Sequence, residues 1–597
     1  MNATARFVII LEDLYYIKMD LNSKITNKAA LIWAIADKIT GVYKPHEYGK
    51  VILPLTVIKR FDSILEKTKS DVLAAYEKCR NMDNDIMRNE ILTKASGHPF
   101  YNTSKYTLRT LLDDPDHIDD NFASYINAFS PNVCEIIEKF EFAKDELPKM
   151  REYGLLFTVL QEFGTEKADM HPSRVSDIEM GYIFEELIRK FSESYNEEAG
   201  QHYTPREVIE LMVHILLNFD NAMLSSKEAR TIYDPACGTG GMLSIASEYI
   251  KKHNSSAAFL CFGQEINPET YAIAKADMLI KGENDSLIRS GNTLSDDQFP
   301  NQTFNYIISN PPFGREWKKE KASVEKEAKL TRENGGRFFM GLPAIGDSQM
   351  LFLSNAVAKM KPVEEGGSRV AIVHNGSPLF TGDAGSGPSD IRKYLLENDL
   401  LEAIIALPND IFYNTGIATY IWVLSNNKEK RRMGKVQLIN ANGLYEKRRK
   451  SLGNKRNDIP QTAIDEIAKI YGDFRENKLS KIFKNEDFGY RKVVVERPLR
   501  DESGKPILKK GKVQADPKLR DTENIPLSED VAEYMKREVL PYAPDAWIDE
   551  SKTKIGYEIP FTRYFYEYTP PVPSEELKRE ILQIESELKG SIERIFE

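Results

Sequence analysis

The sequence predicts an α/β protein that carries a helical N-terminal region and a mixed C-terminal extension. From about residue 25 to 165, apolar residues recur every three or four positions, which is the periodicity of helices. From about residue 228 to 426, short apolar runs alternate with helical stretches, a pattern typical of an α/β fold with a mostly parallel sheet. After about residue 430 the charge density rises and the periodicity weakens.

The length of 597 residues calls for several folded units, because one domain usually spans about 50–250 residues. We therefore predict a helical domain at residues 1–165, an α/β domain at 166–430 and a C-terminal region at 431–597. The strand candidates are TIYDPA, AAFLCFGQEI, SLIRSG, FNYIISN, SRVAIVHN, LEAIIALP, ATYIWVLSN and, beyond residue 430, KVQLINAN.

The last 24 residues, SEELKREILQIESELKGSIERIFE, predict an amphipathic helix. One face of this helix would carry Leu577, Ile581, Ile584 and Leu588. Such a face either folds back on the protein or binds a partner, and the sequence leaves both alternatives open.

The formal net charge of −10 argues against a protein that coats nucleic acid by bulk electrostatics. Any contact with nucleic acid must be local or shared with a partner. Four local basic clusters exist, and each by itself is most simply a solvated loop. They are Lys318, Lys319 and Lys321; Lys428, Lys430, Arg431 and Arg432; Lys447, Arg448, Arg449 and Lys450; and Lys509, Lys510 and Lys512.

The sequence contains no apolar run of about 18 residues, and Glu12 and Asp13 interrupt the stretch that a signal peptide would need. We therefore expect a cytoplasmic protein. His202 and His374 are expected to be hydrogen-bonded structural residues rather than metal ligands. Neither a disulfide framework nor a metal site is predicted, since no CxxC pair or zinc spacing is formed by Cys79, Cys134, Cys237 and Cys261.

A glycine-rich turn in TIYDPACGTGGML joins a predicted strand to a helix that begins near Met242. Glu265 ends the next strand, where a carboxylate can accept hydrogen bonds from both hydroxyls of a ribose. Asp234 would repel a pyrophosphate but attract the amino group and sulfonium of S-adenosylmethionine, which is the predicted cofactor. The cofactor-binding candidates here are Asp234, Ala236, Gly238, Thr239, Gly240, Gly241 and Glu265.

The segment AGQHYTPREVIELMVHIL predicts a loop and then a helix that is capped by Thr204 and started by Pro205. Alone, this is only a well-capped helix. Its position just before the glycine-rich turn indicates that it holds the carboxylate of the cofactor at the helix N-terminus. The candidates are Gln201, His202, Tyr203, Thr204, Pro205 and Arg206.

FNYIISNPPFG predicts a buried strand that stops at a tetrapeptide with two prolines, which withdraw backbone donors and leave acceptors. A purine amino group is a poor nucleophile, so its lone pair must be aligned with the S–CH3 bond. We assign the Asn310 side chain and the Pro311 carbonyl to the two amino hydrogens, and Phe313 to stacking on a flipped base. Positioning then suffices for in-line transfer, without metal or covalent intermediate. The catalytic candidates are Asn310, Pro311, Pro312 and Phe313.

The motifs GQHYTPR, DPACGTGGML, GQEINPE and NPPF, in this order, resemble the N6-adenine DNA methyltransferases of type I restriction-modification systems. The resemblance covers about residues 25–430, and it also includes LIWAIADKI, LPLTVIKRFD, RFFMGLPAIGDSQMLFL, SRVAIVHNGSPLF and LPNDIFYNTGIATYIWVL. It implies a Rossmann-like class I S-adenosylmethionine-dependent methyltransferase core at 166–430. Asn292, in SGNTL, stands where an Asp often contacts the cofactor adenine, and Asn can donate as well as accept.

The same resemblance implies a modification subunit that acts on double-stranded DNA with a specificity subunit and a second modification subunit. The specificity subunit would read the target sequence, and the terminal helix would contact it. Restriction would belong to a further subunit, because this chain lacks a GxxxxGK[ST] loop for ATP-driven translocation.

Three alternative functions are open to this sequence. A stand-alone DNA, RNA or protein-glutamine methyltransferase would share the NPPF chemistry, although the RNA and protein enzymes usually have Tyr in the fourth position and lack the long helical N-terminus. A nuclease is suggested only superficially by Pro544, Asp545, Glu550 and Lys552, which lie too close together for adjacent strands. A scaffold that binds nucleic acid would not need Asn310.

Overall fold

The computed structural model describes residues 35–165, 168–195, 204–217, 229–254, 257–413, 415–509, 511–568 and 573–596. The chain divides into two compact units after Glu558. Each unit is described by itself below.

The N-terminal region is helical, as predicted, and its described residues form no β-strand. Its buried core is rich in aromatic rings, and Phe61 packs edge-on against Phe100 with centroids 4.7 Å apart. The helices are α1 (Tyr48–Leu65), α2 (Lys69–Cys79), α3 (Asp85–Ser96), α4 (Ile118–Asn127), α5 (Pro131–Lys139), α6 (Leu147–Glu152), α7 (Leu156–Phe163) and α8 (Asp177–Tyr195).

A nine-stranded sheet forms the framework of the α/β region of the first unit, and all eight strands predicted from the sequence are present in it. The strands are β1 (Arg230–Asp234), β2 (Phe259–Glu265), β3 (Ile288–Ser290), β4 (Tyr306–Ser309), β5 (Arg369–Asn375), β6 (Leu401–Ala406), β7 (Thr419–Ser425), β8 (Lys435–Asn440) and β11 (Ser480–Lys484). Their order in the sheet is β11-β8-β6-β7-β5-β4-β1-β2-β3.

The strands from β3 to β5 are parallel, in the order of a doubly wound Rossmann sheet. The chain then inserts β7 antiparallel between β5 and β6. Because parallel strands end at one edge, the carboxyl ends of β1, β2 and β4 meet there, and ligands of open α/β sheets bind at this edge.

The sheet continues past residue 430, because β8 and β11 extend it beyond the end of the predicted α/β domain. Strand β11 was not predicted, since SKIFK is too short and too polar to stand out as an apolar run. The domain boundaries themselves stay a prediction.

Helices cover both faces of the sheet. They are α9 (Arg206–Leu217), α10 (Gly241–His253), α11 (Pro268–Ile280), α12 (Lys321–Glu327), α13 (Gln349–Ala358), α14 (Ser377–Phe380), α15 (Gly387–Glu397) and α16 (Gln461–Asp473). Helix α11 joins two cores: Ile273 is buried with the N-terminal helices, whereas Met278 is buried with the sheet. The helical region is thereby fixed against the α/β core.

The remainder of the first unit consists of small β-structures. A hairpin is formed by β9 (Glu446–Leu452) and β10 (Lys455–Asp458), and a second by β13 (Leu508–Lys509) and β14 (Lys512–Val513). A four-stranded antiparallel sheet is formed by β12 (Gly489–Glu496), β15 (Asp521–Pro526), β16 (Trp547–Ile548) and β17 (Lys554–Tyr557), beside the short helix α17 (Val531–Tyr534). The predicted mixed character of the C-terminal extension is confirmed.

The second unit contains α18 (Phe561–Tyr564) and α19 (Ser574–Phe596), and α19 confirms the predicted terminal helix. Its apolar face is exposed: Leu577 is 45% and Ile581 64% accessible. None of the helices in the described ranges is long and apolar enough to cross a membrane.

Candidate active site

The turn after β1 has the backbone that its glycines predicted. Gly238 and Gly240 have φ angles of +54° and +80°, values that side-chain-bearing residues rarely adopt. Gly240 is the N-cap residue of α10, which begins at Gly241. The turn thus brings backbone amides to the carboxyl end of the sheet, where a ligand can approach them closely.

Glu265, at the end of β2, holds this turn in place. Its Oε2 accepts a hydrogen bond from the Gly238 amide at 2.8 Å, and its Oε1 accepts one from the Asn267 amide at 2.8 Å. Burial raises the pKa of the Glu265 carboxyl, and these backbone donors oppose the rise. A carboxylate has about four lone-pair positions, so it can still accept hydroxyl groups from the cleft.

Asp234, at the end of β1, is almost fully buried and ties β1 to β4. Its Oδ1 accepts hydrogen bonds from the Ala236 amide at 3.0 Å and from the Ser309 hydroxyl at 2.9 Å. Burial raises the pKa of Asp234 to about 7. This side chain therefore supports the turn, and it also lines the smaller of two cavities.

Asn310 follows β4 and is 8% exposed. Its Nδ2 donates to the Thr204 hydroxyl at 2.8 Å, which fixes the orientation of the amide. Its buried Oδ1 has no hydrogen-bond partner within the described ranges. A buried acceptor without a partner costs free energy, so the structure is arranged for a donor to arrive there.

Two cavities meet at Asn310. The larger, of about 170 Å³, is lined by the predicted residues Ala236, Gly238, Thr239, Glu265, Asn292, Asn310 and Pro312. The smaller, of about 60 Å³, is lined by Thr204, Asp234, Ala236, Gly238, Thr239, Gly241 and Asn310. The tertiary structure thus brings residues from all three motifs to one place.

Asn292 is held on both sides of its amide. Its Oδ1 accepts from the Leu294 amide at 3.0 Å, and its Nδ2 donates to Glu320 Oε1 at 2.7 Å. An Asp in this position could not donate to the buried Glu320 carboxylate, so Asn here matches its neighbour.

Several predicted residues lie differently from the prediction. Helix α9 begins at Arg206, one residue later than expected, and the Pro205 carbonyl accepts its first hydrogen bonds. Thr204 does not cap this helix because its hydroxyl bonds to Asn310. The Arg206 guanidinium lies 3.6 Å from the centroid of the Tyr182 ring. Gln201, His202 and Tyr203 lie outside the described residues.

The second half of the NPPF motif is mostly buried. Pro311 is buried, and Phe313 is 6% exposed and packs edge-on against Phe412 with centroids 6.3 Å apart. Pro312 lines the larger cavity. The ring of Phe313 therefore contributes to the core in this structure.

His374 is fully buried, but the predicted hydrogen bonds are not found among the described residues. Neither ring nitrogen has a hydrogen-bond partner in the described part of the chain, and burial lowers the pKa of His374 to about 3. Its ring packs edge-on against Trp422 at 5.7 Å. The prediction was wrong because position on a strand says nothing about which neighbours a side chain meets.

The sequence did not single out several residues that line the larger cavity: Arg189, Arg315, Glu320, Ser348, Phe352 and Tyr413. Ser348 is 1% exposed, and its hydroxyl, like Asn310 Oδ1, has no hydrogen-bond partner among the described residues. The available signal was the family resemblance of the segments that contain Ser348, Phe352 and Tyr413. Arg189 lies on α8, in a different part of the sequence, and had no such signal.

Glu185, also on α8, stands behind the glycine-rich turn. Its Oε2 lies 4.0 Å from Arg206 Nε, and a Cβ added to Gly241 would lie 3.5 Å from its Oε1. Burial raises the pKa of Glu185 to about 7, although Arg206 opposes the rise. No sequence motif indicates this contact.

Comparison with known proteins agrees with this architecture. The family model for N-6 DNA Methylase matches residues 175–496, and the model for the HsdM N-terminal domain matches residues 28–163. The residues that line the two cavities all lie within the first match.

Two relatives are type I restriction enzyme methylase subunits. The MjaIX subunit of Methanocaldococcus jannaschii is 26% identical over 494 residues, which cover 77% of this chain and 79% of that protein. The HindI subunit of Haemophilus influenzae is 27% identical over 265 residues, which cover 44% of this chain and 54% of that protein.

A solved structure has the same fold. The type I restriction-modification methyltransferase subunit from Streptococcus thermophilus is similar with a TM-score of 0.61 and 22% identity, covering 78% of this chain and 97% of that one. The predicted Rossmann-like α/β methyltransferase fold is confirmed. Since the first family model covers more than half of its length, the chain belongs to the N-6 DNA methylase family and is a DNA adenine-N6 methyltransferase of the type I restriction-modification kind.

Proposed function

We propose that the larger cavity binds S-adenosylmethionine and that Asn310 and Pro311 hold the N6 amino group of an adenine turned out of double-stranded DNA. The observation that carries this proposal is the buried Asn310 Oδ1, which has no hydrogen-bond partner among the described residues and belongs to a side chain that lines the same cavity as Glu265. The reaction is methyl transfer to N6, as modification in a type I restriction-modification system.

The residues around the cavity fit S-adenosylmethionine. Glu265 stands at the tip of β2, where a carboxylate can accept both ribose hydroxyls. The turn from Ala236 to Gly241 offers close backbone approach, and Asn292 lies on the same wall. When bound, the cofactor supplies an electrophilic methyl group on a sulfonium. Thr204 would contribute to holding its carboxylate, together with Gln201, His202 and Tyr203, which lie outside the described residues.

The target base needs acceptors for both N6 hydrogens. The Asn310 Oδ1 atom supplies one, and the Pro311 carbonyl supplies the other. An amide oxygen is too weak a base to take up a proton, so Asn310 orients the lone pair of N6 and does not deprotonate it. Phe313 remains the proposed stacking residue, and Pro312 adds apolar surface in the same cavity.

The experiment that tests this function follows tritiated methyl groups from S-adenosylmethionine into bacterial DNA, with and without the specificity subunit. The product is digested to nucleosides. We expect label in N6-methyladenine for the wild type and a loss of at least about 100-fold in Asn310→Ala, because one acceptor for the reacting amine is removed.

The matched control is Asn524→Ala, since Asn524 lies exposed on β15 in the C-terminal sheet. This variant should retain full transfer. Label in cytosine, RNA or protein would contradict the proposal, and so would full activity of Asn310→Ala.

We further propose that the active form contains a specificity subunit and a second modification subunit. The relatives are named as methylase subunits of type I restriction enzymes. The exposed apolar face of α19 supports this proposal, because covering its isoleucine and leucine side chains with a partner lowers the free energy. Base readout would lie in the specificity subunit.

A further inference from the structure

One of the four basic clusters lies on a hairpin that is hydrogen-bonded to a residue of the active-site cavity wall. The hairpin of β9 and β10 spans Glu446–Asp458 and carries six cations: Lys447, Arg448, Arg449, Lys450, Lys455 and Arg456. Its only acids are Glu446 and Asp458. This excess of positive charge stands in a chain whose formal net charge is −10.

Two of the six cations serve the hairpin itself. Arg448 forms an ion pair with Asp458 at 2.6 Å. Lys455 is buried, pairs with Glu207, and donates to the Ile411 carbonyl at 3.2 Å. The other four are exposed, and none of them forms an ion pair with another described residue: Lys447, Arg449, Lys450 and Arg456.

The hairpin is hydrogen-bonded to the segment from Asp410 to Tyr413, whose last residue lines the cavity. The Asn454 amide donates to the Tyr413 carbonyl at 2.8 Å, and the Arg456 amide donates to the Asp410 carbonyl at 2.8 Å. Gly453, with φ +58°, allows this approach, because a Cβ there would lie 2.5 Å from the Tyr413 carbonyl oxygen. The Tyr413 residue lines the same cavity as Asn310.

Lys455 attaches the hairpin to a second element, helix α9. Glu207, the partner of Lys455, lies in the first turn of α9, three residues after the Thr204 that holds Asn310. The four exposed cations are therefore carried by a hairpin that is attached to both sides of the Asn310 pocket.

Two of the other three basic clusters lack this combination. In the cluster at residues 428–432, Lys428 pairs with Asp399 at 2.6 Å, and the buried Arg432 pairs with Glu402 at 3.2 Å. Lys509 and Lys512 are exposed on the separate hairpin of β13 and β14. Those two lysines provide a control for a general effect of charge.

We propose that the β9–β10 hairpin binds the phosphate backbone of double-stranded DNA beside the flipped adenine. The inference rests on the proposed function, because a base in the cavity brings its flanking phosphates to the cavity wall. Residues in a strand are spaced about 3.3 Å apart, and guanidinium groups match phosphate oxygens in geometry. Such contacts position the DNA without reading its sequence.

The test measures the affinity of the complete complex for a DNA duplex containing its target, as a function of salt concentration. The slope of log K against log [salt] is about −0.9 per phosphate contact. The triple variant Lys447→Gln, Arg449→Gln, Lys450→Gln should lower the magnitude of this slope by about 2 to 3 and weaken binding at low salt. The control variant Lys509→Gln, Lys512→Gln should retain the wild-type slope.

Two further measurements separate the causes. Binding of S-adenosylmethionine by the triple variant should equal that of the wild type, which confirms an intact cavity. Arg449→Lys keeps the charge and should keep the slope. If the wild type methylates DNA but the triple variant has an unchanged salt slope, the hairpin inference is wrong while the proposed function stands. If the wild type transfers no methyl group to DNA, the proposed function itself is overturned.

Discussion

At the scale of single residues, the site depends on side chains that are oriented by neighbours distant in sequence. The Thr204 hydroxyl accepts from Asn310 Nδ2 at 2.8 Å, which fixes the orientation of the amide and leaves Oδ1 without a hydrogen-bond partner among the described residues. In the same way, Asn292 is oriented by Glu320. These second partners are positioning residues, and substituting them should alter the reaction without removing the acceptor.

Thr204→Val should lower kcat for methyl transfer by about 10- to 100-fold. It leaves the Asn310 Nδ2 donor buried without a partner, which costs about 1–3 kcal/mol and favours rotation of the amide. Thr204→Ser keeps the hydroxyl and should restore the rate. Single-turnover kinetics at saturating cofactor would measure this effect. Wild-type kcat in Thr204→Val would contradict this role, and an equal loss in both variants would show that the hydroxyl alone does not position Asn310.

The buried carboxyl of Glu185 predicts a dependence of stability on pH. Burial raises its pKa from 4.5 to about 7. The positive charges of Arg206 and Lys281 oppose the rise, and the negative charges of Asp277 and Glu248 add to it. The folded state therefore binds a proton more tightly than the unfolded state. The stability from this group is fully present below pH 4.5 and is lost as the pH rises through about 7.

The free energy of unfolding of Glu185→Gln, measured relative to that of the wild type, should thus increase as the pH is raised from 5 to 8. The expected increase is up to about 3 kcal/mol. Denaturant unfolding at both pH values measures the difference, and comparison with the wild type cancels groups that titrate in both proteins. A difference between the two proteins that is the same at pH 5 and pH 8 would contradict the shift.

At the level of elements, the site lies where the carboxyl ends of β1, β2 and β4 meet. Helices α9, α10 and α11 begin or pass beside this edge of the sheet. The turn before α10 can approach β2 only because residue 263 of β2 is a glycine. A Cβ added to Gly263 would lie 2.9 Å from Cys237 Sγ and 2.9 Å from Ile288 Cδ1. A single methyl group at position 263 would therefore disturb the contact between the turn and β2.

Gly263→Ala should therefore destabilise the protein by about 1–3 kcal/mol, the cost of forcing a methyl group into a packed interior. The displaced turn should also weaken binding of S-adenosylmethionine. Thermal unfolding and calorimetric titration are the measurements. Gly443→Ala is the control, since nothing lies within 4 Å of a Cβ at Gly443. Equal melting temperatures for Gly263→Ala and the wild type would show that the turn yields without cost.

At the scale of the whole molecule, an acidic chain carries out chemistry on a polyanion. The net charge of −10 makes bulk attraction to DNA unfavourable, so binding has to come from local cations and from partner subunits. The basic β9–β10 hairpin and the apolar face of α19 are the two exposed surfaces that suit these tasks.

Ile581→Glu together with Ile584→Glu should weaken association with the specificity subunit by at least about 10-fold, because two exposed apolar side chains, 64% and 58% accessible, are replaced by charges. Sedimentation or light scattering of the mixed subunits would measure association. Cofactor binding by the isolated chain should not change. Wild-type association of this double variant would exclude the α19 face as the contact.

Much of this architecture could be predicted from local patterns in the chain. The strand in FNYIISN follows from a short apolar run, and the helix SEELKREILQIESELKGSIERIFE follows from a periodicity of about 3.6 residues, which is a property of the helical backbone. The glycine-rich turn and the NPPF tetrapeptide also contain their backbone requirements within a few residues. His374 and β11 show the limit: the first met no hydrogen-bond partner among the described residues, and the second was too short and polar to detect.

By itself, then, the sequence predicted the order of helices and strands and the turn at Gly238 and Gly240, and it indicated Asn310 as the proposed acceptor. Only the tertiary structure decided which distant residues lie near Asn310: the Thr204 hydroxyl, 106 positions earlier, accepts from its Nδ2, and Tyr413 lines the same cavity. It also placed β7 between β5 and β6 and attached a basic hairpin to the cavity. The physical reason is range, since backbone propensity acts over a few residues, whereas packing and hydrogen bonding between distant segments are selected jointly by the whole fold.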